Sequence, residues 1–236
     1  MIPVWKLWKA RSDTGNRASG RLPGRPSQSN SQNRARGSRN AEQAGKISRS
    51  ALSPAPSQMQ GTEGFAIGEG FTVQAFKRYV SSVVFHGWKP QFVVLHHTVI
   101  PTIQQWHAMT GETATTRLSE FFKGRGWKGA YHVLIADDLV WLLTPLDRQG
   151  VHSPSWNRMS FGVSMIGNYD EESLNREPGK KVLENTIDVI ATLDKLIGAD
   201  PGSLRLHRED PLSRGRTCPG VKVDKQYLIK MISLQH

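Results

Sequence analysis

Apolar positions between residues 72 and 236 alternate between a helical and a strand-like spacing. The helical period of about 3.6 residues is clearest over 182–197, where Gly198 follows as a helix end, and it recurs after Thr72, a suitable N-cap. Shorter apolar runs at 92–95, 161–166 and 204–206 are typical of buried strands. Interleaved helices and strands predict a mixed α/β fold, with a central mixed β-sheet flanked by helices.

Further helices and a hairpin complete this prediction. The expected helices are 103–109, 115–123 and 223–232, and the first helix begins after Thr72. The β-rich runs 131–135 and 140–144 are separated by a short polar turn and predict a hairpin. The Gly-rich stretch 61–71 predicts a linker.

The net charge of +11 belongs almost entirely to the N-terminal segment. Residues 1–60 contain eleven Lys or Arg and two Asp or Glu, a net charge of +9, which leaves +2 for residues 61–236. Residues 17–60 are rich in polar residues, Gly and Pro, and cannot offset a backbone ordering cost of about 1–2 kcal/mol per residue. We therefore predict a disordered basic extension and linker over 1–70 and a folded domain over 71–236. The extension either contacts nucleic acid, anionic lipid or acidic wall polymers, or is a solvated segment without a role.

Targeting signals are weak in this sequence. Residues 1–9 contain charges but no apolar core of about 7–15 residues, and no stretch approaches the roughly 18 apolar residues of a membrane span. The single cysteine excludes an intramolecular disulfide. These observations predict a protein made in a cytoplasm, without a signal peptide or an integral membrane segment.

Two histidines and the only cysteine carry the candidate chemistry. His96 and His207 each close a short apolar run, and Cys218 lies in a loop just beyond the second. Imidazole and thiolate are preferred zinc ligands, and three protein ligands leave a fourth position for water, as in catalytic zinc sites. The three residues therefore indicate a metal-assisted hydrolase.

Each of these assignments has an alternative. His97 rivals His96, since adjacent strand residues point to opposite faces and only one faces the site. A free cysteine is often a small buried hydrophobe, but Arg214 and Arg216 flank Cys218. Positive neighbours lower a thiol pKa and favour the thiolate that binds metal.

An ordered set of motifs over about residues 70–236 resembles one family. The motifs are 93–98 (VVLHHT), 129–135 (GAYHVLI), 150–153 (GVHS) with Asn157, 161–168 (FGVSMIGN), and His207 followed by 218–220 (CPG). Together they resemble the zinc-dependent N-acetylmuramoyl-L-alanine amidases of the amidase-2 or peptidoglycan-recognition-protein (PGRP) type, which include phage endolysins. The lead-in 72–90 is similar to a phage-borne subgroup.

The resemblance implies a fold and a set of site residues. It implies a mixed sheet flanked by helices, with Zn²⁺ held by His96, His207 and Cys218, and it prefers His96 over His97. It implies that the Tyr131 hydroxyl orients water or meets the oxyanion. Arg216 stands where phage members often have lysine, and its permanent charge favours electrostatic stabilisation over acid catalysis. The resemblance also marks two candidates for substrate binding. They are Asn157 and His152, the latter equally well explained as a hydrogen-bonded scaffold residue.

Two departures from the family pattern stand out. Ser164 occupies the position at which a related subgroup has a catalytic glutamate, so the tyrosine-assisted variant is favoured. The loop between His207 and Cys218 is charged, and its Glu209 and Asp210 are rival ligands.

The function implied is hydrolysis of the amide between N-acetylmuramic acid and the L-alanine of peptidoglycan by zinc-activated water. A phage or prophage lytic enzyme would wait in the host cytoplasm and reach the periplasm and cell wall through a partner holin. Two alternatives are a non-catalytic peptidoglycan-recognition module and a cytoplasmic amidase that acts on soluble muropeptides.

Overall fold

The computed structural model describes residues 69–236, so the predicted basic extension lies outside the described residues and stays a prediction. The strands are β1 (Glu69–Phe71), β2 (Phe92–His97), β3 (Val133–Ile135), β4 (Val140–Leu142), β5 (Ser160–Met165) and β6 (Arg205–Leu206). The helices are α1 (Val73–Val80), α2 (Ile103–His107), α3 (Gly111–Gly124), α4 (Gly179–Ile197) and α5 (Lys225–Ser233). Short 3₁₀ turns occupy Pro201–Ser203, His207–Glu209 and Pro211–Ser213.

The strands form a mixed sheet of six in the order β1-β4-β3-β5-β2-β6. β2 pairs in parallel with β5 and β6, and β3 pairs in parallel with β5. β4 runs antiparallel to β3, and β1 runs antiparallel to β4. The predicted mixed sheet and the hairpin are therefore confirmed.

Helix α4 is the main cover of the sheet. It contacts β2, β3 and β5, and its buried residues include Val182, Val189 and Ile190. The helix ends where Gly198 adopts a left-handed backbone with φ of 73°, a conformation that glycine reaches without the penalty of a Cβ. Thr72 caps α1 as predicted, since its side chain accepts a hydrogen bond from the Ala75 N–H.

Three differences from the predicted element boundaries have a clear physical cause. β1 lies inside the predicted linker, because a strand of three residues with one Gly has no readable alternation. Helix α3 begins at Gly111, four residues early, since the Thr110 side chain caps it by accepting from the Thr113 N–H. β3 begins at Val133, which leaves Tyr131 in the preceding loop.

Within residues 69–236, no helix combines the length and the apolar character needed to cross a membrane.

We expect Asp194→Asn to stabilise the fold at pH 8 and to change little at pH 4. Asp194 of α4 is 2% exposed, and burial, with a smaller contribution from Asp200, raises its pKa from 3.8 to about 7. Because the folded-state pKa is the higher one, the stabilising proton is fully bound below pH 4 and is lost as the pH rises through 7. The gain at pH 8 is on the order of 3 kcal/mol. Urea unfolding at both pH values measures it.

Glu184→Gln, an exposed change on the same helix, is the matched control and should shift stability by less than about 0.5 kcal/mol. Equal stabilisation of the Asp194 variant at pH 4 and pH 8 would contradict the electrostatic explanation.

Candidate metal centre

Strand register places the first two candidate ligands side by side. Parallel pairing of β2 with β6 sets Leu95 opposite Leu206. His96 and His207 are the residues that directly follow this pair. Neighbouring strands lie about 4.8 Å apart and paired residues share a face, so the two imidazoles are brought together. Their ring centroids are 4.3 Å apart, and both residues are buried.

Cys218 completes the cluster from the loop beyond β6. Its Sγ lies 3.8 Å from Nδ1 of His96, and the donor atoms of His96, His207 and Cys218 all lie within 4.8 Å of one another. Zinc bonds of about 2.1 Å to nitrogen and 2.3 Å to sulfur place tetrahedral donors about 3.6 Å apart. The donor set and its spacing therefore fit a zinc ion held by three protein ligands.

The pKa values of the three candidate ligands indicate their protonation states when no cation is bound. Burial, followed by the charge of neighbouring histidines, lowers the pKa of His96 well below its usual value. Burial and then Arg216 lower that of His207 to about 4, so both imidazoles keep free lone pairs at neutral pH. Burial raises the pKa of the Cys218 thiol to about 12.

The predicted effect of positive neighbours on the Cys218 thiol pKa is present, but it is not the largest contribution. Arg216 and the backbone N–H of His97 do lower the pKa of the thiol, but desolvation outweighs them. A coordinated cation reverses this balance, since a metal-bound thiol loses its proton outright.

His97 points away from the cluster, as strand alternation requires. Its Nδ1 accepts a hydrogen bond from the Tyr169 N–H at 3.1 Å, and the Tyr169 ring stacks on it. The structure thus gives His97 a packing role and leaves His96 in the cluster.

We expect His97→Ala to retain zinc and to lower the free energy of unfolding by about 1–3 kcal/mol, because a buried N–H of Tyr169 loses its acceptor. Metal content after gel filtration and a denaturation curve measure the two effects. His96→Ala is the paired control and should lose the metal. Loss of zinc from the His97 variant instead would show that the ligand histidine has been misassigned.

Tyr131 reaches the cluster from the loop before β3. Its ring lies 5.0 Å from the His96 ring and packs edge-on against Phe122. Burial, followed by the charge at Cys218, raises the pKa of Tyr131 above its usual value, which keeps the hydroxyl protonated across neutral pH.

Ser164 and Arg216 also border this region. Ser164 is the register partner of His96 on β5, and its hydroxyl is buried. That hydroxyl lowers the pKa of Tyr131, which places it beside the phenol. Arg216 is exposed, yet its charge lowers the pKa values of His96, His207 and Tyr131. Its guanidinium is therefore close enough to favour negative charge at the site.

The two residues predicted to bind substrate lie behind the cluster. Nδ1 of His152 is 3.1 Å from Nε2 of His96, and Nε2 of His152 is 3.3 Å from the Ser160 carbonyl oxygen. The Asn157 side-chain oxygen accepts from the N–H groups of His152 and Ser153, both at 2.7 Å. This geometry favours the scaffold alternative for His152, and the substrate-binding role of both residues stays a prediction.

The rival acidic ligands have other partners. Both carboxylate oxygens of Asp210 accept hydrogen bonds, from the hydroxyls of Ser153 and Ser155 and from the Leu212 N–H among others. Glu209 accepts from the Leu206 N–H and pairs with Lys225 at 2.9 Å. These contacts hold both carboxylates within the loop that carries His207, and neither residue belongs to the cluster of donor atoms.

Sequence reasoning missed three residues that support the ligands. Ser213 Oγ lies 2.9 Å from Nε2 of His207. Asp170 accepts from the Thr217 hydroxyl and the Val221 N–H on either side of Cys218, and Arg208 donates to the Gly220 carbonyl. Motif spacing gives no signal for such contacts between distant segments.

The described residues combine a mixed sheet with a His-His-Cys cluster in which both histidines are buried and the cysteine is partly buried. The family model described as "Amidase_2: N-acetylmuramoyl-L-alanine amidase" matches residues 86–221, more than half of the chain. The chain therefore belongs to the N-acetylmuramoyl-L-alanine amidase family.

Two solved structures of amidases agree with this membership, and a third structure is similar to the chain. The N-acetylmuramoyl-L-alanine amidase LysC from Clostridium intestinale is 26% identical, with a TM-score of 0.51, and the match covers 62% of this chain and 87% of that one. The endolysin LysCS from the same organism is 25% identical, with a TM-score of 0.51 and coverage of 64% and 89%. Drosophila PGRP-LB is 26% identical, with a TM-score of 0.47 and coverage of 63% and 82%. No curated protein sequence matches the chain.

Proposed function

We propose that this protein is a zinc-dependent hydrolase that cuts the amide between N-acetylmuramic acid and the L-alanine of the peptidoglycan stem peptide. The observation that carries the proposal is the cluster of His96, His207 and Cys218, whose donor atoms lie within 4.8 Å of one another. Two imidazoles and one thiolate are one ligand short of tetrahedral coordination, the composition of catalytic zinc sites. Membership of the amidase family supports the choice of bond.

A zinc ion in this site would acidify a water molecule and polarise the scissile carbonyl. The protein's own residues then supply the remaining stabilisation. The Tyr131 hydroxyl, protonated at neutral pH, donates a hydrogen bond where negative charge develops on the carbonyl oxygen. Arg216 adds a permanent positive charge at the rim of the site.

Release of stem peptides from purified peptidoglycan tests the proposal. New N-terminal L-alanine should appear, should disappear with a chelator and should return when zinc is added. Zinc bound without cleavage would instead favour the recognition module. Cleavage of soluble muropeptides but not of intact sacculi would favour an amidase of the cytoplasm.

A lytic role in a phage or prophage extends this proposal. The similarity to the endolysin LysCS supports it. Such an enzyme waits in the host cytoplasm and passes to the periplasm and wall through a holin. Induced expression with and without a holin tests this route, since lysis should require both proteins. Lysis by the amidase alone would remove the holin from the proposal.

The basic segment 1–60 is proposed to add affinity for anionic polymers, because it carries nearly all of the chain's net charge. Retention on an anionic wall polymer should fall with salt in the full chain and vanish on deletion of 1–60. Unchanged retention would assign the affinity to the domain.

A further inference from the structure

A row of hydrogen bonds runs from His96 through His152 to the backbone carbonyl of Ser160. The Ser160 carbonyl oxygen only accepts, so the His152 Nε2, 3.3 Å away, carries the proton of that ring. The other nitrogen of a neutral His152 is then a bare acceptor. It faces Nε2 of His96 at 3.1 Å, so His96 donates and carries its own proton on Nε2.

This row of hydrogen bonds leaves Nδ1 of His96 unprotonated. Nδ1 is the atom that lies 3.8 Å from the Cys218 Sγ, inside the donor cluster. A metal binds a neutral imidazole through its bare nitrogen, and a partner on the other nitrogen fixes both tautomer and ring orientation. The hydrogen bonds therefore give His96 the tautomer and the ring orientation of a metal ligand before any cation binds.

His207 has a matching partner on its far side. Ser213 Oγ lies 2.9 Å from Nε2 of His207, and the nitrogen that remains for the cluster is Nδ1. Ser213 itself is held in the loop that Asp210 fastens to Ser153 and Ser155. Both ligand histidines thus have their outer nitrogen engaged by a side chain.

Gly162 and Asn157 hold the His152 ring beside His96. A Cβ at Gly162 of β5 would lie 2.5 Å from Cγ of His152, so only glycine lets the ring approach the strand. The Asn157 side-chain oxygen fixes the backbone N–H of His152 at 2.7 Å. The ring is 7% exposed and has His132 as a neighbour, at 5.8 Å between ring centroids.

We infer that His152, and secondarily Ser213, are positioning residues that set the tautomer and orientation of the two ligand histidines and thereby the zinc affinity. This inference rests on the proposed zinc function. It assigns His152 a role through His96 and not through contact with substrate.

Zinc dissociation constants, measured by competition with a chromogenic chelator, test the inference on the full chain. His152→Phe keeps an aromatic ring but removes the acceptor, and zinc affinity should fall about 10–100-fold. His152→Gln keeps an acceptor and should recover part of that loss. Ser213→Ala should weaken binding as well, and His107→Phe, a change at an exposed histidine, should leave it unchanged.

Two further measurements separate positioning from general folding. Gly162→Ala replaces none of the ligands or their partners yet displaces the His152 ring, so it should weaken zinc binding as His152→Phe does. Nitrogen-15 NMR of the zinc-free protein should show the His96 proton on Nε2 in the wild type and in the Gln variant.

The outcomes distinguish this inference from the proposed function. A wild-type chain that binds no zinc would overturn the proposed zinc chemistry itself. If the wild type binds zinc and His152→Phe binds it equally well, with only a lower unfolding midpoint, then His152 is structural and the inference fails. Equal losses in the Phe and Gln variants would likewise exclude the acceptor as the cause.

Discussion

Cys218→Ser is expected to lose both the bound zinc and the hydrolysis of peptidoglycan. The thiol is one of three donors in the cluster, and an alcohol is a poor zinc ligand, so two imidazoles would be left to hold the ion. The loss of affinity should exceed the roughly 10–100-fold that follows removal of a partner outside the coordination shell. Zinc content after dialysis and release of N-terminal L-alanine are the two measurements.

Thr217→Ser is the matched control for this loop. It keeps a hydroxyl for the hydrogen bond with Asp170 and leaves the thiol in place, so zinc and activity should both remain. Serine in place of Cys218 changes one atom on a residue that is otherwise held by its neighbours, so the fold should survive. Full zinc content with full cleavage in the Cys218 variant would exclude the proposed site.

Much of the fold was predictable because long elements carry their own signals. Helix α4 shows a continuous apolar face and ends at a glycine that adopts the left-handed conformation. The hairpin of β3 and β4 has two β-rich runs around a polar turn. Strand β1 was missed because it is short and acquires its stability from pairing with β4, a contact that local sequence does not encode.

The candidate ligands were predictable for a different reason. His96 and His207 end strands, and parallel pairing of neighbouring strands places their ends at one edge. The choice between His96 and His97 needed the motif resemblance. Strand alternation shows only that the two side chains point to opposite faces of the sheet. The structure settles the geometry by giving His97 the Tyr169 N–H as its partner.

The environment of these ligands could not be predicted from spacing. The flanking arginines indicated a low thiol pKa for Cys218, but burial raises it to about 12, and burial is a property of the folded chain. The charged loop after His207 looked like a source of rival ligands. In the structure Asp210 binds Ser153 and Ser155, residues far away in sequence, and so serves the site by holding its backbone.

Tyr131→Phe is expected to keep zinc and lower kcat by about 100–1000-fold, the effect of removing one hydrogen-bond donor from an oxyanion site. The phenyl ring preserves the packing against Phe122 and the approach to His96, so metal content and the unfolding midpoint should change little. Since the raised pKa keeps Tyr131 protonated at neutral pH, the wild-type rate should show no titration of this group there.

Tyr169→Phe provides the comparison that isolates the Tyr131 hydroxyl. The Tyr169 hydroxyl donates to the Ile166 carbonyl at 2.6 Å, so its removal should lower stability by about 1 kcal/mol and leave turnover unchanged. If Tyr131→Phe instead retains the wild-type kcat, the phenol has no part in the reaction. Ser164, whose buried hydroxyl lies beside the phenol, would then be the next candidate donor. A fall in kcat for Tyr131→Phe alone, with zinc retained, would place the hydroxyl in the transition state and show that metal binding does not depend on it.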